Sequence, residues 1–378
     1  MPSKLVIVQP AIQHYRIPVF DRLRELASGD FSLEVWGAMC EGEALGGGSR
    51  DYFHDYPCKE LYIGKRPIVW HPDILNKIRA ERPDVVISTV YPSHLTSWTL
   101  PKTCASVGAI AIGWTKVQSP KTRSVSQYIK RKLFDRYRYI LAYSGSSRDE
   151  LCSLGYPESN VFVTNNTIDT DRIFASGDRY DREAELLRSE HNLTGKRILL
   201  CISTMESHKR HEDLLAAWPQ LKQIDDDLHL VLIGSGSLAD QLRDQCGSLE
   251  SSRIHFLGRV PAGADYGWIA AADATIQCGA VGLAINQSMA FGKPTIIADE
   301  PGPDTESLVD NETGFRYQKG NLDDLVNRTR DALSDSDVVR TVTANARKII
   351  QEQFSMDHMV SKIHQCALAA IESQRQVA

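Results

Sequence analysis

Between residues 4 and 114, short apolar runs alternate with amphipathic segments: 4–9 then 18–27, 32–37, 84–89 then 93–106, and 109–114. Runs such as Leu5-Val6-Ile7-Val8 suit strands buried on both faces, and the amphipathic segments between them suit helices that cover those faces. The alternation restricts the chain to βαβ units, hence a parallel sheet flanked by helices. A further strand pattern at 139–143 is followed by Ser144-Gly145-Ser146-Ser147, a capped helix through Leu154, and a strand at 161–164. After Asn166 the pattern weakens into a polar, charged stretch with one helix-like piece near 183–191. We read 171–195 as a linker.

The rhythm then restarts, with strands at 197–203, 229–234, 254–257, 274–277 and 295–298, and helices at 211–223, 238–248, 265–272 and 282–290 between them. The reading is α/β, with two Rossmann-like doubly wound domains: 1–170, and 196–355 ending in a helix at 337–354. An amphipathic helix follows within 356–378. Open α/β sheets bind ligands beyond the carboxyl ends of their strands, so two such domains are expected to face a central cleft.

A chain of 378 residues exceeds what one core usually organises. Its hydrophobic content of 42% and charged content of 24% are those of an ordinary globular protein. A net charge of -5 argues against nucleic acid as a partner. The start, Met1-Pro2-Ser3-Lys4, runs straight into a strand pattern without a signal h-region or cleavage site. No apolar run reaches the length of a membrane-spanning helix. Cysteines 40, 58, 104, 152, 201, 246, 278 and 366 are scattered, without CxxC or metal-finger spacing, and read as reduced thiols in a cytoplasmic protein.

The densest chemistry lies in 279–317, GAVGLAINQSMAFGKPTIIADEPGPDTESLVDNETGFRY. A loop of small residues leaves backbone N–H groups open to an anion ahead of a helix. A Gly-Lys-Pro, a buried strand, another glycine loop and Thr313-Gly314-Phe315 follow. The order of these pieces resembles the donor-binding segment of retaining glycosyltransferase family 4, the group 1 glycosyltransferases, whose pattern there is Glu-Gly-Phe-Gly-Leu, three residues, then Glu-Ala-Met-Ala. Further stations stand in the family's order: ILAYSGSSRDELCSLG at 140–155, VFVTNNTIDTDRI at 161–173, LLCISTMESHKRHEDLLAA at 199–217, VLIGSG at 231–236 and HFLGRV at 255–260.

The resemblance implies the two-domain GT-B fold, with an N-terminal acceptor domain, a C-terminal nucleotide-sugar domain, and a last helix that returns toward the first domain. It also implies site residues. Lys209 neutralises the donor diphosphate, or else is a solvated lysine before a helix. The family's arginine five residues earlier is Thr204 here, and Arg210 or Arg259 is the candidate substitute cation. Gly234 lies in the matching VLIGSG loop. Ala280, Val281, Gly282 and Leu283 offer backbone to phosphates and sugar. The family's two glutamates are Gly279 and Gln287; Gln287 still accepts a hydrogen bond from a ribose hydroxyl, with less strength than a carboxylate, whereas Gly279 offers no side chain and reads equally as a strand-end turn.

On the acceptor side, Gln13-His14-Tyr15-Arg16-Ile17-Pro18 resembles the His-Tyr-Arg element of polysaccharide-building members. His14 is expected to bind the acceptor hydroxyl or a phosphate, and Arg16 to cap the donor diphosphate. Pro18 fits a plain helix start as well. Lys116, after a strand end where relatives carry a histidine, is expected beside the departing phosphate or on the surface. Gly46-Gly47-Gly48 reads as a loop. Lys121, Arg123, Lys130, Arg131, Lys132, Arg136 and Arg138 interleave with Tyr128, Phe134, Tyr137 and Tyr139, a pattern that fits either a solvated helix or peripheral contact with an anionic membrane. Asp225-Asp226-Asp227 reads as a turn.

The resulting expectation is a hexosyltransferase moving sugar with retention from a nucleotide-diphosphate donor, UDP ahead of GDP, to a glycan or lipid-linked acceptor in cell-surface polysaccharide synthesis. It is expected to need no metal and no other cofactor. A nucleotide-sugar epimerase of the same shape and a non-catalytic nucleotide- or partner-binding relative are the alternatives.

Overall fold

In the computed structural model, residues 2–39, 50–64, 66–117, 124–247, 251–261, 263–300 and 302–376 are described. The Gly46–Gly48 loop and the basic residues Lys121 and Arg123 lie outside them. The chain forms two compact units, one of residues 1–169 with 356–378, the other of residues 170–355.

The first unit contains strands β1 (Ser3–Ile12), β2 (Phe31–Met39), β3 (Phe53–Asp55), β4 (Lys59–Ile63), β5 (Arg66–Trp70), β6 (Val85–Thr89), β7 (Ile110–Thr115), β8 (Tyr139–Ala142) and β9 (Val161–Val163). Seven form one sheet in the order β3-β2-β1-β6-β7-β8-β9, with every neighbouring pair parallel. β4 and β5 pair antiparallel by themselves.

The pleat of β1 explains its apolar run. Leu5 and Ile7 join the core beneath the helix Ile17–Leu26 and the last helix, Met356–Arg375, with Phe20, Leu23, Met359 and Ile363. Val6 and Val8 point the other way, to Ile74, Ile78, Leu100 and Leu133. Each such side chain, taken fully from water, contributes roughly 1.5–3 kcal/mol, so the central strand is anchored from both sides.

The second unit repeats the plan with β10 (Arg197–Ile202), β11 (Leu228–Ile233), β12 (Ile254–Gly258), β13 (Ala274–Gln277), β14 (Thr295–Ala298) and β15 (Phe315–Tyr317), ordered β12-β11-β10-β13-β14-β15 and parallel throughout.

One boundary differs from expectation. The stretch 171–195 is not a free linker but carries the helices Thr170–Phe174 and Arg179–Glu190, and the latter is part of the second unit's core. It packs on the helix Asp265–Ala271 across Gly267, where a Cβ would come within 2.9 Å of both Glu183 Cγ and Leu187 Cδ1. Arg188 then ties it down, donating to the carbonyls of Ala271 at 3.1 Å and Lys196 at 2.6 Å and to the Asp273 carboxylate at 3.0 Å. Its exposed face is rich in charge, which is why the segment reads as polar.

Candidate functional site

Strand β10 is where the strand order of the second sheet reverses: the chain runs outward through β11 and β12 on one side and β13 to β15 on the other. The crevice at such a switch point, beyond the carboxyl ends of the strands, is where open α/β sheets hold ligands. Three loops meet here, 203–210 after β10, 234–238 after β11 and 278–283 after β13.

Glycines set how closely they meet. Gly234 has φ +141°, and a Cβ on it would collide with the Ser203 carbonyl oxygen; one on Gly236 would stand 2.5 Å from the Met205 carbonyl oxygen. Gly279 is the tightest for function: a Cβ there would collide with the His208 carbonyl oxygen and come within 2.9 Å of Lys209 Cα. Because the loops touch through backbone, they also bond through it. Met205 N donates to Ser235 O at 3.0 Å, and Ala280 N to His208 O at 2.9 Å. The Glu206 carboxylate accepts from Ser237 N at 2.9 Å and Ser237 Oγ at 2.6 Å, and these bonds hold it below the usual carboxylate range.

Lys209 is half-buried at the end of the single turn Ser207–Lys209. Its Nζ donates to the Ala280 carbonyl oxygen at 2.6 Å, so its ammonium stands over the loop of small residues. Thr204 is exposed; Ala280, Val281, Gly282 and Leu283 are half-buried. No side chain caps the helix Ala284–Ala290 that follows them.

The two candidate substitute cations differ. Arg210, in the left-handed region at φ 54°, has its guanidinium engaged bidentately by Asp213 at 2.7 and 2.9 Å, so its charge is matched within its own helix. Arg259 is exposed just past β12.

Gln287 uses its amide Nε2 to donate to Asp265 Oδ2 at 3.1 Å. Burial pushes the Asp265 carboxyl above the ordinary range, against the lowering effect of bonds from Gly263 N and Gln287 and of the Arg172 charge. A carboxylate therefore does stand beside position 287, supplied by the helix Asp265–Ala271. Sequence reasoning missed it, since an aspartate at a helix start reads as a simple dipole partner.

In the first unit, His14 lies exposed on the turn His14–Arg16 directly after β1, and Lys116 half-buried directly after β7. Arg16, expected at the donor diphosphate, is instead 3% exposed. Its guanidinium lies over the rings of Trp114 at 4.8 Å, Tyr143 at 5.2 Å and Tyr15 at 5.4 Å, and donates to Asn166 Oδ1 at 2.8 Å and Met359 Sδ at 3.3 Å. A planar cation sandwiched by aromatic faces is well held without a carboxylate.

The first sheet has its own switch point, at β1 between β2 and β6. A small cavity there is lined by Val8, Ser88, Thr89, His71, His94 and Thr96. Burial pulls His71 down to about 4 and also lowers His94, so both are neutral imidazoles near pH 7. His71 Nε2 has no hydrogen-bond partner among the described residues. Neither histidine belongs to a recognisable motif.

Asp225 and Asp227 form a turn, Asp225 Oδ1 accepting from Asp227 N at 2.8 Å, before β11 and away from the loops. Among the described residues no three His, Cys, Asp or Glu side chains converge to hold a metal ion, and no helix is long and apolar enough to cross a membrane.

Comparison with known proteins adds to this geometry. The model of Glycosyltransferase Family 4 matches residues 19–172, and that of Glycosyl transferases group 1 matches residues 183–349. A GDP-mannose-dependent alpha-(1-6)-phosphatidylinositol monomannoside mannosyltransferase of Mycobacterium tuberculosis is 24% identical over 273 residues, 68% of this chain and 67% of that protein. An N-acetyl-alpha-D-glucosaminyl L-malate synthase of Bacillus anthracis is 25% identical over 59% of this chain and 57% of that protein. Among solved structures, a glycosyltransferase from Rickettsia africae superposes with TM-score 0.75 over 100% of both chains at 16% identity. Anabaena HepE in complex with UDP superposes with TM-score 0.72 over 97% of this chain and 100% of that one, also at 16% identity.

Proposed function

This chain belongs to the group 1 glycosyltransferases of family 4, with the GT-B fold, and from that premise we propose that it moves a hexose from a nucleotide-diphosphate donor to a glycan or lipid-linked acceptor. The observation that carries the reading is the half-buried Lys209 ammonium held over Ala280 where three loops join at the switch point of the second sheet. In this reading Lys209 neutralises charge growing on the leaving diphosphate, and the loop N–H groups share that load. A phosphate oxygen takes the acceptor proton on the face from which it departs, which retains the anomeric configuration. The Asp265–Gln287 pair receives the ribose hydroxyls. His14 serves the acceptor hydroxyl, and Lys116 the departing phosphate.

UDP is favoured as the nucleotide because HepE was solved with UDP and with UDP-glucose; the mycobacterial relative is GDP-mannose-dependent, so both belong in the test. Peripheral membrane contact would use the helix Ser124–Phe134, where Tyr128 and Ile129 are exposed beside Arg131 and Lys132; co-sedimentation with anionic vesicles, lost in Tyr128→Ser, tests it.

One observation favours a second reading, a nucleotide-binding relative without turnover: the backbone of His208 and Lys209 fills the place where a side chain of residue 279 would begin. Incubation with labelled UDP-hexoses, UDP-N-acetylhexosamines and GDP-mannose, with lipid-linked and oligosaccharide acceptors, separates the readings. Transfer supports the enzyme, an isomerised donor an epimerase, and tight UDP binding without product the non-catalytic relative.

A further inference from the structure

The helix Ala284–Ala290 follows loop 279–283 at its start and ends at a second polar feature, a cavity of about 160 Å³ within the second unit. Its lining includes Phe174, Tyr180, Asp181, Phe291, Lys293 and Arg347.

Tyr180 is 2% exposed, and its hydroxyl has no hydrogen-bond partner among the described residues. The ring is fixed edge-on by Tyr266 at 5.5 Å and Phe291 at 5.4 Å. A buried hydroxyl left unmatched is costly, and the residue that carries it lines this cavity.

Lys293, the middle residue of Gly292-Lys293-Pro294, donates one bond to the Ala270 carbonyl oxygen at 2.7 Å; an ammonium carries three donors. Arg347 is exposed at the rim, its guanidinium 5.3 Å above the Phe174 ring. Two cations against one carboxylate, Asp181, leave the lining net positive.

Cations recognise an oxyanion, a hydroxyl and a carboxylate recognise sugar hydroxyls, and aromatic faces suit the C–H face of a pyranose. A cavity of about 150 Å³ admits benzene, so about 160 Å³ takes a sugar ring with its phosphate outward at the exposed Arg347 rim. We propose that this cavity binds a phosphorylated sugar, with its phosphate at Lys293 and Arg347 and its hydroxyls at Tyr180 and Asp181. The site is separate from loops 203–210, 234–238 and 278–283 and does not depend on their being the donor site.

Calorimetric titration of the full chain with a hexose 6-phosphate and with inorganic phosphate, each with and without saturating UDP, tests the proposal. The expected result is one hexose phosphate site that persists in UDP, binds tighter than inorganic phosphate, and is weakened by about tenfold or more in Tyr180→Phe and in Arg347→Glu. Melting followed by circular dichroism shows whether both variants fold; neither removes a hydrogen bond to the core, so both should. Absence of binding, displacement by UDP, inorganic phosphate binding as tightly as the sugar phosphate, or equal affinity in the folded variants would each overturn it.

Discussion

The Lys209 ammonium donates to the Ala280 carbonyl oxygen while the Ala280 amide donates to the His208 carbonyl oxygen, so the loops after β10 and β13 are joined by a reciprocal pair of bonds at 2.6 and 2.9 Å. Gly279 permits this, because any Cβ would strike the His208–Lys209 backbone.

Restoring the family's residue at this position should therefore harm the protein. Gly279→Glu has to push loop 203–210 away, at a cost of about 1–3 kcal/mol as for other overpacked sites. Thermal melting should show a lower Tm and calorimetry weaker UDP binding; an unchanged Tm with a gain in turnover would show that the loop yields freely.

Gln287→Glu faces a second carboxylate, because its amide now donates to Asp265 at 3.1 Å. Asp265 is already pushed above the ordinary carboxyl range by burial, and two carboxyls at one site share a proton. The folded variant then binds more protons than the unfolded chain above pH of about 4, so stability falls as pH rises. A deficit in Tm relative to the parent that is larger at pH 8 than at pH 5 is expected; a deficit independent of pH would argue against the contact.

Arg16→Lys keeps the charge but loses the planar group stacked among Trp114, Tyr143 and Tyr15. We expect a loss of about 1–3 kcal/mol, by the scale for a lost cation–π set and a charged hydrogen bond, read from denaturant unfolding. UDP affinity should stay within about twofold, since the side chain is enclosed in the first unit.

His229 Nδ1 and His255 Nε2 lie 2.9 Å apart at the amino ends of β11 and β12. Burial and the neighbouring imidazole pull His229 down to about 4, whereas an unfolded imidazole titrates near about 6.5. Between these values the unfolded chain takes up more protons, so stability drops as pH falls from about 6.5 toward about 4 and then levels. His229→Asn should flatten the Tm-against-pH curve over that window; an identical slope would exclude the pair as its source.

Much of the fold was legible because strand and helix periods are local. The pattern at 274–277 coincides with β13, and the one at 211–223 overlaps the helix His211–Leu221. Segment 171–195 reads as a linker from sequence because its contacts, Arg188 to Ala271 and Gly267 against Leu187, connect residues about 80 apart. The same distance rule divides the site. The glycine loop and Lys209 carry a motif, but the reason for Gly279 lies in a backbone 70 residues earlier, and Asp265 shows its role only against Gln287. Arg16 has the residue type of a phosphate ligand, and only the positions of Trp114 and Tyr143 reveal that it is core.

Loops 203–210, 234–238 and 278–283 are proposed to hold a nucleotide diphosphate through Lys209. Calorimetric titration of UDP against the parent chain and Lys209→Ala is the decisive measurement. Saturable one-site binding to the parent is expected, with a loss of about 1.5–3 kcal/mol, roughly 10- to 150-fold in Kd, in the folded variant; equal affinity for both would remove Lys209 from the site.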